Sequence, residues 1–227
     1  MDTAELTLQR EHLHEKDTAL PRKNIALHDS LRDFRDSCGF ALLAHMDGEK
    51  SHWLVESTLE SLARLTHRGA VAADGKSGDG CGIMLQFPEP FLREVAAECG
   101  FRLTERFASG LVFFSPDEKL IARGQEILTR HLSQSALQVV GWRDVPTDNS
   151  GLGESVKAVE PEIRQVFIGC GAACATQDDF ERKLFVIRKV IENTVRASDW
   201  EGRQNYYVPS LSSRTLLYKG MLLANQV

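Results

Sequence analysis

Apolar positions along the chain recur with two different spacings. At Val55, Leu59, Leu62 and Leu65, and again at Phe180, Leu184, Ile187, Ile191 and Val195, they fall three to four residues apart, which lines one face of a helix. Elsewhere they come in short runs bounded by turn residues, the signature of buried strands. The helical spacing predicts helices over residues 51–66, with Ser51 as cap, and over 178–195. A third helix is predicted over 89–98, with Pro90 in its first turn and Gly100 past its end. A fourth opens at Ser115-Pro116-Asp117-Glu118 and runs to Leu132. The apolar runs predict strands over 38–46, 83–87, 110–114, 137–142, 165–169, 205–211 and 215–219, the last two joined by Ser212-Ser213-Arg214. Seven strands and four helices in this order suit a layered α+β or α/β architecture.

Two stretches stand outside that pattern. Asp74 to Gly82 holds four glycines in nine residues, so its backbone can reach positive φ and pass close to a neighbour or a ligand. Residues 1–37 carry eight acidic and six basic side chains, with leucines scattered and no sustained period. They read as a mobile arm, either an ordinary N-terminus or a leader that must be removed.

Composition narrows the class. A chain of 227 residues suits one large domain with an added arm, and 42% hydrophobic with 26% charged residues is ordinary for a soluble globular protein. A net charge of −5 argues against nucleic acid or an anionic membrane as main partner. No apolar run has the length of a membrane span, and the N-terminus lacks the apolar core of a secretory signal, so the expected location is cytoplasmic. The five cysteines (38, 81, 99, 170 and 174) are an odd number, which suits free thiols in a reducing compartment. No metal site is expected: Cys170 and Cys174 have neither a nearby histidine nor a second cysteine pair.

The candidate chemistry begins at Cys38. As a strand residue it reads first as a small buried hydrophobe. At a chain terminus it would instead carry its own base, because an α-amine titrating at about 8 can take the thiol proton. That chemistry requires the Ser37–Cys38 peptide bond to be cut. His67-Arg68-Gly69 reads by itself as a basic helix end with a C-cap glycine. The Gly78, Gly80, Gly82 loop is followed by a strand rather than a helix, which excludes a dinucleotide fingerprint and leaves a tight inter-strand loop.

Taken together, Cys38-Gly39-Phe40 opening a strand, then His67-Arg68-Gly69-Ala70, then Asp74-Gly75-Lys76-Ser77-Gly78-Asp79-Gly80-Cys81-Gly82-Ile83, resembles the class II, N-terminal-nucleophile glutamine amidotransferases. Ala44-His45, Thr66 to Ala70, Ala73 to Leu85, Gly141 to Thr147 and Tyr218-Lys219-Gly220 look like the amino-terminal domain of bacterial glutamate synthase large chains. The likeness runs from about Arg35 to Gly220.

The resemblance implies a four-layer αββα sandwich, with residues 1–37 as propeptide and 38–227 as a partial amidotransferase domain. It implies that freed Cys38 attacks the side-chain amide of L-glutamine, its α-amine serving as base and then as acid to the departing ammonia. Water then hydrolyses the γ-glutamyl thioester. Arg68 would position the nucleophile end, and His67, Gly69, Gly78 and Asp79 would surround the substrate. The family's carboxylate-clamping arginine, in His-Gln-Arg-Phe-Ser, and its oxyanion-hole Asn-Gly pair have no counterpart here. The expectation is therefore a domain incomplete at its C-terminal end and inactive alone. FMN, an iron–sulfur cluster and a small NADPH-oxidising subunit would belong to the rest of such an enzyme, with no cofactor in this piece. Two other readings stand beside this one: another N-terminal-cysteine amidase, and a non-catalytic interaction module in which Cys38 is never exposed.

Overall fold

The computed structural model describes residues 39–66, 69–72 and 74–226. Among them the elements run α1 (His52–Arg64), β1 (Cys81–Gln86), α2 (Glu89–Glu98), β2 (Phe107–Phe114), α3 (Glu118–Gln134), β3 (Gln138–Asp144), α4 (Glu154–Lys157), β4 (Glu162–Gly169), α5 (Gln177–Ala197) and β5 (Thr215–Gly220). Short 3₁₀ turns lie at Gly171–Ala173, Glu201–Gln204 and Ala224–Gln226. None of the described helices is long and apolar enough to cross a membrane.

The strands form two antiparallel sheets. β1 and β5 pair from Cys81 opposite Gly220 to Gln86 opposite Thr215. β2, β4 and β3 form the other in that order, with Val140 bulged out of the β3 ladder. Every residue of β2 is buried because both faces of its sheet are covered, which is why it reads as an unbroken apolar run. Side-chain alternation divides the core. Ala108, Val112, Phe114, Val166 and Ile168 face α3 and α5, where they meet Ile121, Leu128, Phe180, Leu184 and Ile191. Phe107 and Phe167 face the other way, onto Phe87, Leu92, Val95 and Leu216 of the second sheet and α2. On the far side, α1 contacts β1. The layers are thus helices, sheet, sheet, helix: the αββα order.

The helices start where local chemistry dictates. Ser51 caps α1 through Leu54 N–H (3.4 Å), and Thr176 with Asp179 closes a reciprocal capping box at α5. α3 starts later than its Ser-Pro pair suggests: the cap is Asp117, which accepts from the Lys119 and Leu120 N–H groups. The short helix α4, capped at Gly153, was not foreseen.

Three expectations need correction. Residues 39–46 are not a strand; the backbone has no ladder partner among the described residues, and Phe40, Leu42 and Met46 are exposed. An apolar run supplies a face, but only a neighbouring backbone makes it a strand. Residues 205–211 likewise form no strand and no hairpin with β5. They lie along the β2 edge through isolated bridges, Tyr207 to Phe113 and Ser212 to Ser109, and Pro209 between them has no N–H to continue a ladder. Finally, Cys170 and Cys174 are paired as a disulfide rather than free, because the Gly171–Ala173 turn brings their Cα atoms to 6.2 Å.

Candidate active site

Of the residues singled out from the sequence, Cys38, His67 and Arg68 lie outside the described residues. Gly69, Gly78 and Asp79 are described, and the fold brings them to one place. α1 ends at Arg64 with Leu65 as its cap, so Gly69 is not the C-cap glycine of that helix. Its N–H instead bonds back to Thr66 (3.3 Å), starting an exposed loop. That loop doubles over on itself. Val71 bridges Gly78, Ala72 N–H donates to Ser77 carbonyl (2.8 Å), and Asp79 Oδ2 accepts from Ala70 N–H (3.3 Å). Asp79 is thereby the clasp that holds Gly69-Ala70 beside Gly78.

The tip of the loop is organised by Asp74. One carboxylate oxygen accepts from the N–H groups of Lys76 and Ser77 (both 2.9 Å); the other accepts from the Ser77 hydroxyl (2.6 Å) and from Ser155 (3.4 Å). Those bonds favour the ionised form and lower the acid to about 2, with the Ser77 hydroxyl the largest cause. Gln226 ties the same tip to two other segments, donating to the carbonyls of Lys76 (3.3 Å) and Gly151 (3.2 Å).

The glycines answer to the chain itself. A side chain on Gly78 would meet Leu223 at 2.6 Å, one on Gly80 (φ +103°) would meet the Gly220 carbonyl oxygen at 2.8 Å, and one on Gly82 would meet Tyr218 carbonyl oxygen at 2.5 Å. Each allows the 218–223 segment to lie close over the loop.

Sequence reasoning did not single out the polar groups between the sheets below this loop. Gln165 is fully buried; its amide nitrogen donates to Ser109 Oγ (2.9 Å), which donates to the Val166 carbonyl (3.0 Å), and its amide oxygen accepts from Arg143 (3.2 Å). Burial pushes the Tyr218 phenol up, while the charge of Arg143 and side-chain interactions with Gln165 and Arg143 draw it back. The available signal was a lone glutamine in the apolar run Gln165 to Gly169. Asp74 and Ser77 gave no such signal, since Asp, Gly and Ser are ordinary turn residues.

Of the free thiols described, Cys81 sits at the base of the loop, and burial raises its pKa, away from thiolate. Among the described residues no three His, Cys, Asp or Glu side chains are grouped to hold a metal. The arrangement brings loop backbone groups and the Asp74 carboxylate, anchored by Lys76, Ser77 and Ser155, to one end of the sandwich.

Residues 38–227 match the family of class-II glutamine amidotransferases. The chain is also similar to the glutamate synthase [NADPH] large chain of Bacillus subtilis, 37% identical over 85% of this chain and 12% of that protein. It is 33% identical to ferredoxin-dependent glutamate synthase 1 of Arabidopsis thaliana over 96% of this chain and 14% of that protein. With glutamate synthase [NADH] of Schizosaccharomyces pombe the identity is 35% over 92% of this chain and 10% of the relative. The chain thus spans roughly an eighth of the length of these relatives. It belongs to the class-II glutamine amidotransferases.

Proposed function

We propose that this chain is the glutamine-hydrolysing part of a glutamate synthase, with Cys38 as nucleophile once residues 1–37 have been removed. The observation that carries the reading is that the family match begins at Cys38 itself. A cysteine in that position has an α-amine within reach of its own thiol. The thiolate adds to the amide carbon of L-glutamine, the carbon–nitrogen bond breaks, and the α-ammonium gives its proton to the departing ammonia. Water then cleaves the thioester to L-glutamate, returning the proton to the amine. Arg68 orients the nucleophile end. His67, Gly69, Gly78 and Asp79 form the glutamine-binding surface, with Asp79 acting through the Ala70 backbone it holds.

Ammonia made here would be used on 2-oxoglutarate by the remainder of such a synthase. The relatives' names specify NADPH, NADH or ferredoxin as electron source; for this protein the resemblance favours a small NADPH-oxidising subunit. FMN and the iron–sulfur cluster are assigned to the rest of that enzyme. The described thiols do not suit a cluster, since Cys170 and Cys174 are paired with each other and only Cys81 and Cys99 are free.

The test is the intact mass of the protein, expressed alone and together with the downstream part of the synthase, before and after exposure to an electrophilic diazoketone analogue of glutamine; the result below is expected of the longer protein. The expected result is a mature chain beginning at Cys38 that gains one adduct, absent in Cys38→Ser. Glutamine hydrolysis by a protein that retains residues 1–37 would remove the α-amine mechanism.

A further inference from the structure

The chain carries a net charge of −5, yet one groove on its surface is lined mainly by cations. It has a volume of about 480 Å³ and lies between α5 and the segment that returns after it. Arg188, Lys189 and Arg196 stand on the helix side, and Arg203 on the 3₁₀ turn that packs against α5. Spacing puts Arg188, Glu192 and Arg196 four residues apart on one stripe of the helix. That stripe runs beside Ile187, Ile191 and Val195, which are buried, so it follows the edge where the helix meets the returning chain. Arg188 reaches across to the Val208 carbonyl (3.3 Å) and ties the two sides together.

Glu192 is the single carboxylate in this lining, and two cations share it: Arg188 at 2.6 Å and Lys189 at 2.7 Å. Four cations against one carboxylate leave an excess of three positive charges. Asp199 and Glu201, the nearest other acids in sequence, are exposed and outside the lining. Arg196 and Arg203 have no ion pair among the described residues. Arg203 gives one donor to the carbonyl of Ser198, the C-cap of α5 (2.6 Å), which leaves most of its planar fork unused. The helix dipole accounts for that bond and for Arg196 in the last turn. It does not call for Arg188 and Lys189, which stand about two turns earlier, beyond the reach of the helix end. Lys219 adds a further cation at the border, 4.8 Å from the centre of the Tyr207 ring, and Tyr207 lines the groove. Charges of one sign gathered around a concave surface repel each other and focus their field on an anion that enters it.

We propose that this groove binds a small molecule carrying two or more linked phosphate groups. The guanidinium forks of Arg196 and Arg203 match phosphate oxygens, and Lys189 adds a point charge. Cations on both sides of the groove suit a ligand with charge at more than one place. Its volume is that of a small-molecule site, too small for a nucleic-acid duplex. Glu192 holds Arg188 and Lys189 in place, and it competes with the ligand for both. The segment that forms the far wall continues along the β2 edge into β5, so a bound ligand braces it against α5. This site is independent of the glutaminase reading.

The experiment titrates inorganic pyrophosphate, and in parallel inorganic phosphate, into the full-length protein by calorimetry at low salt. The variants are Arg196→Gln, Arg203→Gln and Glu192→Gln, with Lys119→Gln, an exposed lysine on α3 outside the groove, as charge control. Pyrophosphate affinity should fall about tenfold in each arginine variant and stay unchanged in Lys119→Gln. It should rise in Glu192→Gln, which frees Arg188 and Lys189 for the ligand. Inorganic phosphate should bind more weakly than pyrophosphate. Near-UV circular dichroism establishes that each variant is folded; if Arg203→Gln loosens the end of α5, the exposed Arg196 decides. Absence of pyrophosphate binding, unchanged affinity in the folded arginine variants, an equal loss in Lys119→Gln or equal affinity for phosphate overturns the site. So does a polyglutamate peptide whose binding needs the two arginines and is not displaced by pyrophosphate, since the groove would then belong to an acidic protein segment.

Discussion

Asp74 and Ser77 hold one another from both sides: the serine backbone N–H bonds one carboxylate oxygen at 2.9 Å and its hydroxyl bonds the other at 2.6 Å. Ser77 is buried although the loop around it is exposed, so this pair fixes the one interior point of the glycine loop. The carboxylate is held near 2, below its ordinary 3.8. A depressed acid adds stability that is fully present above its unfolded value and is lost as pH falls through its folded value. The loop should therefore stay ordered above about pH 4 and loosen on approach to about pH 2. Amide exchange at Lys76 and Ser77 measures this. Asp74→Asn should raise their exchange near neutrality and flatten the acid dependence; an unchanged profile would show that Asp74 does not order the loop.

Gly80 tests the close approach of β5 to the loop. Its φ of +103° is a conformation other residues rarely adopt, and a Cβ there would stand 2.8 Å from the Gly220 carbonyl oxygen. Gly80→Ala should cost ~1–3 kcal/mol in urea denaturation, from backbone strain and the displaced β5 end. Gly75→Ala is the comparison, since Gly75 has φ +66° but nothing within 4 Å. A smaller loss at Gly75 would isolate the contribution of contact with Gly220 from that of backbone conformation alone. Equal losses would mean that contact with Gly220 matters little.

What could be read from the sequence follows the range of the interactions. The α5 stripe was legible because Phe180, Leu184, Ile187, Ile191 and Val195 report one face by spacing alone, and all five are buried. The β2 and β4 runs were legible for the same reason, although each proved longer than its most apolar portion. The run from Cys38 to Met46 was not, since being a strand depends on a neighbour that its own residues do not specify. Nor were residues 205–211, which have strand-forming side chains but are interrupted by Pro209. At the candidate site, Gly78 and Asp79 were found through family likeness. Arg143, Gln165 and Tyr218 come from three different strands: the β3–β4 register sets Arg143 opposite Gln165, and Tyr218 reaches them from the other sheet. The pairing of Cys170 with Cys174 depended likewise on a turn that their spacing did not announce.

Glu181 anchors the entry to β5. Its carboxylate accepts from the Ser213 N–H (2.6 Å), the Ser213 hydroxyl (2.5 Å) and the Ser212 hydroxyl (3.0 Å), and Gln177 also reaches Ser213. Ser212 and Ser213 are buried, so losing the acceptor strands their donors. Glu181→Ala should destabilise the protein by ~1–3 kcal/mol, and Glu181→Gln by less, because one amide oxygen remains to accept. Chemical denaturation of the two variants checks the order. If both are neutral, the anchor is replaceable by water.

The two faces of α5 offer the sharpest contrast between burial and exposure on one element. Leu184 is fully buried in the helix–sheet core, while Phe185 beside it is 57% exposed. Neighbours in sequence share nearly the same helical propensity context, so a difference between them reports packing. Leu184→Ala removes three carbons from a site bounded by β-sheet residues that cannot collapse freely, and should cost ~2–5 kcal/mol. Phe185→Ala loses mainly partial contacts, including the Arg188 guanidinium 5.8 Å from its ring, and should cost well under ~1.5 kcal/mol. Thermal and urea unfolding of the pair decides. A Phe185→Ala loss equal to that of Leu184→Ala would mean that the outer face of α5 is covered in solution by another surface, and the loss should then depend on protein concentration.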